Sequence, residues 1–291
     1  MSTTPDTPSP WDLIDGILVI NLDTDTERME QFYADNTLLP QDKVHRLNAC
    51  RGRELPGFGE LPWFSEKTGA RSGYWGGVAG CTMSHRTAIE TAKERGWRNV
   101  LVLEDDVRFS QDPAAMKALR VALETLSGAY MLYLGYSRPT PYGSLVQQAE
   151  AHELWQVEGI LSTYAYIASA PMYDKLLERM PDAHSIWEWT ARHRAIDSFY
   201  RDIAAAMSGV RIYALLPDVV EHIDGAVSAI SGDITYNVVD GAPYPHSYRS
   251  LRGALHLLTR PLHRAKIKLN SLRVYYRSRH SGFSGFRKQK D

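Results

Sequence analysis

The chain has little cysteine. Two thiols, Cys50 and Cys81, stand among 291 residues. They allow no disulfide framework, no Cys-x-x-Cys motif and no zinc-type spacing. Both read as small buried residues, and a reducing cytoplasm is the expected compartment. Long apolar runs are also missing: no stretch approaches the roughly 20 residues that a membrane span needs. Residues 1–12 lack the basic and apolar regions of a signal peptide and contain Pro5, Pro8 and Pro10. A disordered leader is expected there. There is no internal repeat and no low-complexity block. Acids are nearly missing from the C-terminal segment, where residues 249–291 hold twelve bases and the single acid Asp291. The preceding part holds 21 bases against 33 acids, so a net charge of −1 conceals an acidic body with a basic arm.

What is present fits an ordinary globular chain, with 44% hydrophobic and 23% charged residues. Its length allows one large domain plus an appendage, and the expected division is a leader over 1–12, a domain over 13–245 and an arm over 246–291. Gly16 to Leu22, Lys43 to Asn48, Val100 to Leu103, Ala129 to Gly135, Ser162 to Ala168 and Val210 to Leu216 read as strands. Helices are expected from Asp23 to about Asn36, Cys81 to Glu94, Pro113 to about Leu126, Pro171 to Met180 and Ala195 to Met207. Residues 52–78, rich in Gly, Pro and aromatics, read as a long irregular segment. Strands alternating with helices predict an α/β fold with a mostly parallel sheet.

The strand Val100 to Leu103 ends in three consecutive carboxylates, Glu104-Asp105-Asp106. Adjacent acids repel one another, and a hard divalent cation removes that conflict, because oxygen ligands suit Mg²⁺ or Mn²⁺. In open α/β sheets ligands bind beyond the carboxyl ends of the strands, where these acids fall. The competing reading is a solvated acidic turn. If extended geometry persists, Glu104 and Asp106 share one face and Asp105 points to the other.

Further segments fall in a telling order. Asn21-Leu22 is followed by Arg28, and Gly80-Cys81-Thr82-Met83-Ser84-His85 precedes Leu103-Glu104-Asp105-Asp106-Val107. Thr163-Tyr164-Ala165-Tyr166, Ile196-Asp197 and Pro217-Asp218-Val219-Val220-Glu221-His222, with Ser228 beyond, complete the series. Over roughly residues 15–232 this resembles glycosyltransferase family 25, which includes lipooligosaccharide and procollagen galactosyltransferases. Two departures stand out: the acid common before the Gly-Cys element is replaced around Val78-Ala79, and the family's Gln is His222 here. The resemblance stops short of residues 245–291.

The resemblance implies a GT-A type, Rossmann-like nucleotide-sugar-binding domain. It implies an inverting transferase using Mn²⁺ or Mg²⁺, with UDP-galactose the expected donor and a glycan such as a lipooligosaccharide precursor the acceptor. Glu104 and Asp106 are the expected metal ligands, with His222 a candidate third. Asn21, Leu22, Arg28, Ser84, His85 and Asp105 are expected to contact the nucleotide-sugar, Arg28 by forking onto phosphate. Ser84 and His85 are read near the N-terminus of the helix after Gly76-Gly77, a place that favours phosphate. Asp197 is the first candidate for the base and Glu188 the reserve; a helix N-cap is the alternative for Asp197. Trp187 and Trp189 read either as sugar-stacking faces or as core, and Arg194 as a holder of an acidic acceptor.

In the arm, Leu262, Ala265, Leu269, Leu272 and Tyr276 recur at spacings of three and four among Arg264, Lys268, Arg273 and Arg277. A basic amphipathic helix is expected, preceded by a shorter one with Leu251, Leu255 and Leu258 that ends at Pro261. It suits an anionic membrane surface, which would make the enzyme peripheral on the inner membrane, or it docks its apolar stripe on the domain. Nucleic acid is not an expected partner, because no recognition motif is present and the acidic body repels phosphate backbones. Two other functions compete. One is a non-enzymatic nucleotide-fold binding module that works through its arm. The other is a metal-dependent phosphohydrolase, for which no nucleophilic Asp motif is present.

Overall fold

Buried side chains alternate along the strands and divide the core between the two faces of one sheet. In the computed structural model, which describes residues 9–139, 142–223 and 245–283, the chain opens with β1 (Gly16–Asn21), α1 (Thr26–Asp35) and β2 (Val44–Asn48). It continues through α2 (Ser72–Glu94), β3 (Asn99–Glu104), β4 (Val107–Phe109), α3 (Pro113–Thr125) and β5 (Ala129–Gly135). Next come β6 (Arg138–Pro139), β7 (Tyr142–Ala149), β8 (His152–Val157), β9 (Ile160–Leu161), β10 (Ala165–Ser169) and α4 (Ala170–Leu177). The last elements are α5 (Ile186–His193), α6 (Ile196–Ala206), β11 (Val210–Leu216), β12 (Val220–His222), β13 (His246–Ser247) and α7 (Leu251–Ser281).

Nine strands form the main sheet in the order β13-β7-β8-β11-β5-β10-β3-β1-β2. Only β8 and β10 run against the other strands, so the sheet is mostly parallel in strand direction. On β3, Val100 and Val102 face α2, α4 and α6, while Leu101 and Leu103 face α1 and α3. On β5, Met131 and Tyr133 follow the first pair, and Leu132 and Leu134 the second. Burial on both faces is what the unbroken apolar runs of a central parallel strand specify. Each such side chain contributes roughly 1.5–3 kcal/mol. A third, largely aromatic cluster gathers Phe64, Trp75, Trp187, Tyr275 and Phe283 beside the sheet.

Several expectations are corrected. Residues 1–8 lie outside the described residues, but the end of the expected leader is ordered. Pro10–Leu13 forms a 3-10 turn, with Pro10 buried and the Trp11 ring 5.6 Å from that of Phe109. Helix α2 begins at Ser72, not near Cys81. Its glycines are not breakers. A Cβ on Gly80 would lie 2.4 Å from the Cys50 carbonyl oxygen, and one on Gly52 would lie 1.9 Å from that of Gly76. The glycines let the chain after β2 lie against the helix backbone. The β7–β8 hairpin and α5 have no counterpart among the expected elements. In the arm, α7 runs unbroken through Pro261. Ser228 lies outside the described residues.

Candidate active site

The carboxyl ends of β1 and β3 open into a cleft of about 620 Å³. Asn21 and Leu22 line it from β1, Arg28 from α1, Ser84 and His85 from α2, and Glu104, Asp105 and Asp106 from β3 and the turn after it. Asp197 at the start of α6 and His222 on β12 complete the set. Glu188, the reserve base, does not line the cleft, and neither do Trp187, Trp189 and Arg194. Glu188 lies on α5, about half exposed, bonded to Arg192 at 2.6 Å and to the Tyr275 hydroxyl at 3.1 Å. Its carboxyl is held below the usual range, first by the Arg192 hydrogen bond.

The acidic corner differs from an extended strand. Strand β3 stops at Glu104, and the chain turns through Asp105 and Asp106, so the expected alternation does not persist. Both aspartates reach Arg28, which pairs with Asp105 and lies 3.1 Å from Asp106. Burial lowers the Arg28 pKa, but the two carboxylates outweigh it and leave it above its ordinary value. Part of the repulsion that suggested a cation is thus relieved by a side chain. Asp105 is held again by the Asn21 amide, which donates to it at 2.6 Å and to the Asp25 carbonyl at 2.9 Å, while Arg46 donates to Asn21 Oδ1 at 2.8 Å. Asn21 spends both amide protons inside the protein and therefore positions Asp105. Burial still leaves the Asp105 carboxyl above its ordinary value.

Asp106 faces the other way as well. Strand β12 pairs with β4, His222 opposite Val107, and Ile223 N–H donates to the Asp106 carbonyl at 2.9 Å. This brings His222 Nδ1 to 3.4 Å from Asp106 Oδ1. Burial raises the Asp106 pKa, but His222 and Arg28 outweigh it and hold the carboxyl below its ordinary value. Burial lowers that of His222, but Asp106 and Glu104 outweigh it and push the imidazole up. Asp106 Oδ1 is fully buried, and its contact with His222 Nδ1 is long at 3.4 Å, so it is weakly satisfied within the described residues. A buried carboxylate oxygen in that state is costly unless something else pairs with it. It is a fitting ligand atom for a hard cation, with Glu104 and His222 in the same cleft.

On the helix side, Ser84 and His85 sit mid-helix, twelve residues or more past its start, so the expected N-terminal phosphate site is not theirs. Ser84 Oγ donates to the Gly80 carbonyl at 2.8 Å and accepts from Cys50 N–H at 2.9 Å, pinning the chain after β2 to α2. His85 is buried, its Nδ1 3.0 Å from the Tyr166 hydroxyl. Its Nε2 has no hydrogen-bond partner among the described residues and lies 3.8 Å from Glu104 Oε1. Cys81, His85 and Glu104 place ligand atoms within 4.8 Å of one another, although burial holds the Cys81 thiol well above its ordinary pKa and therefore protonated.

Asp197 lies in the first turn of α6. Ala195 is the N-cap, so Asp197 is not the cap; its Oδ1 accepts from Ser198 N–H at 2.5 Å. Trp187 and Trp189 are 3% and 7% exposed and belong to the core, which removes them as sugar platforms. Arg194 covers the Trp75 ring at 4.5 Å. Two tyrosines without an assigned role support the site: Tyr166 holds His85, and the Tyr164 ring lies 3.9 Å from that of His222. Residues two apart on a regular strand share a face, yet Tyr166 packs into the core on one side of the sheet and Tyr164 into that on the other, because Tyr164 precedes β10 and the ladder to β5 shifts register between Ala165 and Tyr166. Arg51, paired with Asp23 at 2.5 Å, also lines the cleft. Nothing in its local sequence marked it.

No curated protein sequence matches the chain. Similar solved structures include A197 from STIV, at 9% identity over 79% of this chain and 97% of that one, with a TM-score of 0.37. Another is mannose-1-phosphate geranyltransferase from Thermus thermophilus, at 18% identity over 68% of this chain and 58% of that one, with a TM-score of 0.34. Residues 14–142 match glycosyltransferase family 25, described as an LPS biosynthesis protein. That stretch supplies Asn21, Arg28, Ser84, His85 and the three acids; Asp197 and His222 lie beyond it. The part of the chain that supplies Glu104, Asp105 and Asp106 is therefore similar in sequence to glycosyltransferase family 25.

Proposed function

We propose that the protein is a metal-dependent, inverting glycosyltransferase of GT-A type that moves a sugar from a nucleoside diphosphate donor to a glycan hydroxyl. UDP-galactose is the donor and a lipooligosaccharide precursor the acceptor in this reading. The observation that carries it is the gathering of Glu104, Asp106, His222 and Asp197 in one cleft, with Asp106 Oδ1 buried and in only a long, 3.4 Å contact with His222 Nδ1. Glu104, Asp106 and His222 would hold Mn²⁺ or Mg²⁺, and such an ion, when bound, neutralises charge on the departing diphosphate as a Lewis acid.

The remaining work falls to the chain itself. Arg28 fixes Asp105 and Asp106 in the turn and presents a guanidinium to phosphate oxygens at the cleft wall. Asn21 and Ser84 act behind the surface, holding Asp105 and the chain after β2. Asp197 takes the proton of the attacking acceptor hydroxyl. Single displacement fits the absence of an obvious nucleophile motif in the sequence.

A screen of UDP-, GDP- and CMP-sugars with Mn²⁺ tests the proposal. Turnover of UDP-galactose that rises with a glycan acceptor is the expected result. Release of inorganic phosphate without an acceptor would point to a phosphohydrolase, and no metal-dependent nucleotide binding at all would point to a binding module.

A further inference from the structure

Helix α7 is mounted on the body with the wrong face outward for a soluble domain. Leu251, Leu255, Leu258 and Leu262 are 87%, 61%, 79% and 75% exposed, and Leu269 and Leu272 are 55% and 41% exposed. Their spacing of four and three, completed by Ala265 and Tyr276, makes one continuous stripe. The residues that touch the body lie about half a turn away, since two positions along a helix correspond to roughly 200° of rotation. Gly253, between Leu251 and Leu255, is buried against Ser247. Arg260, between Leu258 and Leu262, pairs with Glu158 at 2.8 Å. Ser271, two beyond Leu269, donates to the Arg192 carbonyl at 2.6 Å. At the far end, Tyr275 and Ser278 are buried and Phe283 stacks on Trp75 at 4.7 Å. The helix is therefore docked by its small and polar side, and its leucines point away from the molecule.

A 4-3-4-3 stripe is also the seam of a coiled coil, so a second copy is one conceivable cover. Charge argues against it. Residues 251–281 contain no acid, and the stripe is flanked by Arg252, Lys266 and Arg273 on one side and Lys268 on the other. Two such helices would set base against base, which coiled-coil flanks avoid. No helix among the described residues is long and apolar enough to cross a membrane. An exposed apolar stripe bordered by bases is what a helix lying in a lipid headgroup layer requires.

We propose that α7 is a surface-lying anchor for an anionic bilayer, with its leucines among the acyl boundary atoms and its bases on lipid phosphates. This goes beyond the transferase reading and does not depend on it, because lipid binding needs neither donor nor metal. Through Phe283 and Trp75 the anchor is fastened to α2, whose neighbouring residue Tyr74 lines the cleft.

The test is flotation of the full chain with vesicles of phosphatidylcholine alone and with phosphatidylglycerol added. Binding to the anionic vesicles is expected to be at least on the order of tenfold tighter and to weaken with salt, since each base near such a surface is worth about fivefold. Leu258→Gln with Leu262→Gln should lower it on the order of tenfold, as should Lys266→Glu with Arg273→Glu. All these side chains are exposed, so the melting temperature and the turnover of a soluble acceptor should not move. Equal binding to both vesicle types, or leucine variants that bind as the parent does, would overturn the proposal. So would a protein partner or a dimer of this chain that the leucine variants dissolve while vesicles remain unbound.

Discussion

The acidic corner and α7 treat charge in opposite ways. At the corner, Asp105 and Asp106 are almost fully buried, yet Arg28, Asn21 and His222 surround them with opposite charge and hydrogen bonds. Along α7, charges of one sign stand in solvent beside exposed leucines. The body satisfies most of its own polar groups; in residues that line the cleft, Asp106 Oδ1 is met by His222 at a long 3.4 Å, and His85 Nε2 has no hydrogen-bond partner among the described residues. The arm leaves a whole face unsatisfied. The difference in scale teaches what each region accepts: a compact, charged ligand at the corner and an extended anionic surface along the helix.

The largest effect should come from emptying the corner. Asp106→Asn keeps the volume and removes the charge, and kcat/KM for transfer should fall on the order of 10³-fold with an unchanged circular dichroism spectrum. Asp197→Asn should lower kcat on the order of 10²–10⁴-fold while UDP binding, measured by calorimetry, stays intact; a loss of binding with unchanged kcat would make Asp197 a donor contact. Gly80→Ala drives a Cβ toward the Cys50 carbonyl and should cost about 1–3 kcal/mol of stability, read by urea unfolding, and weaken donor binding by displacing the chain after β2. The same change at Gly96, where nothing lies within 4 Å but φ is +67°, would strain only the backbone and leave donor binding alone.

The smallest effect is one of pH. Asp218, in the loop between β11 and β12, is pushed up to about 6 by burial, with the neighbouring Glu221 adding to it. A carboxyl whose folded pKa exceeds its unfolded value of 3.8 makes the native state bind protons more tightly, so stability falls as pH rises between those two values. Asp218→Asn removes that loss. It should raise Tm by roughly 2 °C, about 1 kcal/mol after allowance for partial exposure, above pH 6, and leave Tm unchanged below pH 4. Thermal scans across that range check the sign, and an equal shift at both ends would place the effect elsewhere than in titration.

Much of this contrast was legible in the sequence. Strands buried on both faces announce themselves as unbroken apolar runs, and Ala129–Gly135 and Val210–Leu216 were read to the residue. Because the parallel strands β1 and β3 point their carboxyl ends the same way, Asn21 and Glu104 come together although they are far apart in sequence. The losses have physical causes. Glycines at 73, 76 and 80 look like loop, and only the chain packed against them shows why a helix needs them. The β7–β8 hairpin presents Gln147 and Gln148 to solvent and turns at Glu150, whose φ is +55°, so neither periodicity nor a Gly marked it. Trp187 and Trp189 sat in a polar, basic stretch that suggested a surface; α5 is buried on two sides, Trp187 in the aromatic cluster and Trp189 in the core against the sheet, and Glu188 between them faces Arg192 and Tyr275 outside the cleft. Pro261 suggested a break, but α7 is exposed there, where water can satisfy the carbonyl that proline leaves without a donor.

The central claim is that the corner after β3 binds a nucleotide through a cation held on Asp106. Calorimetric titration of UDP into the full chain, with and without Mn²⁺ and repeated on Asp106→Asn, tests it most directly. The account predicts that Mn²⁺ tightens UDP binding at least on the order of tenfold in the parent chain and that the substitution abolishes that gain. Equal affinity with and without the metal, or a gain that survives in Asp106→Asn, would contradict it.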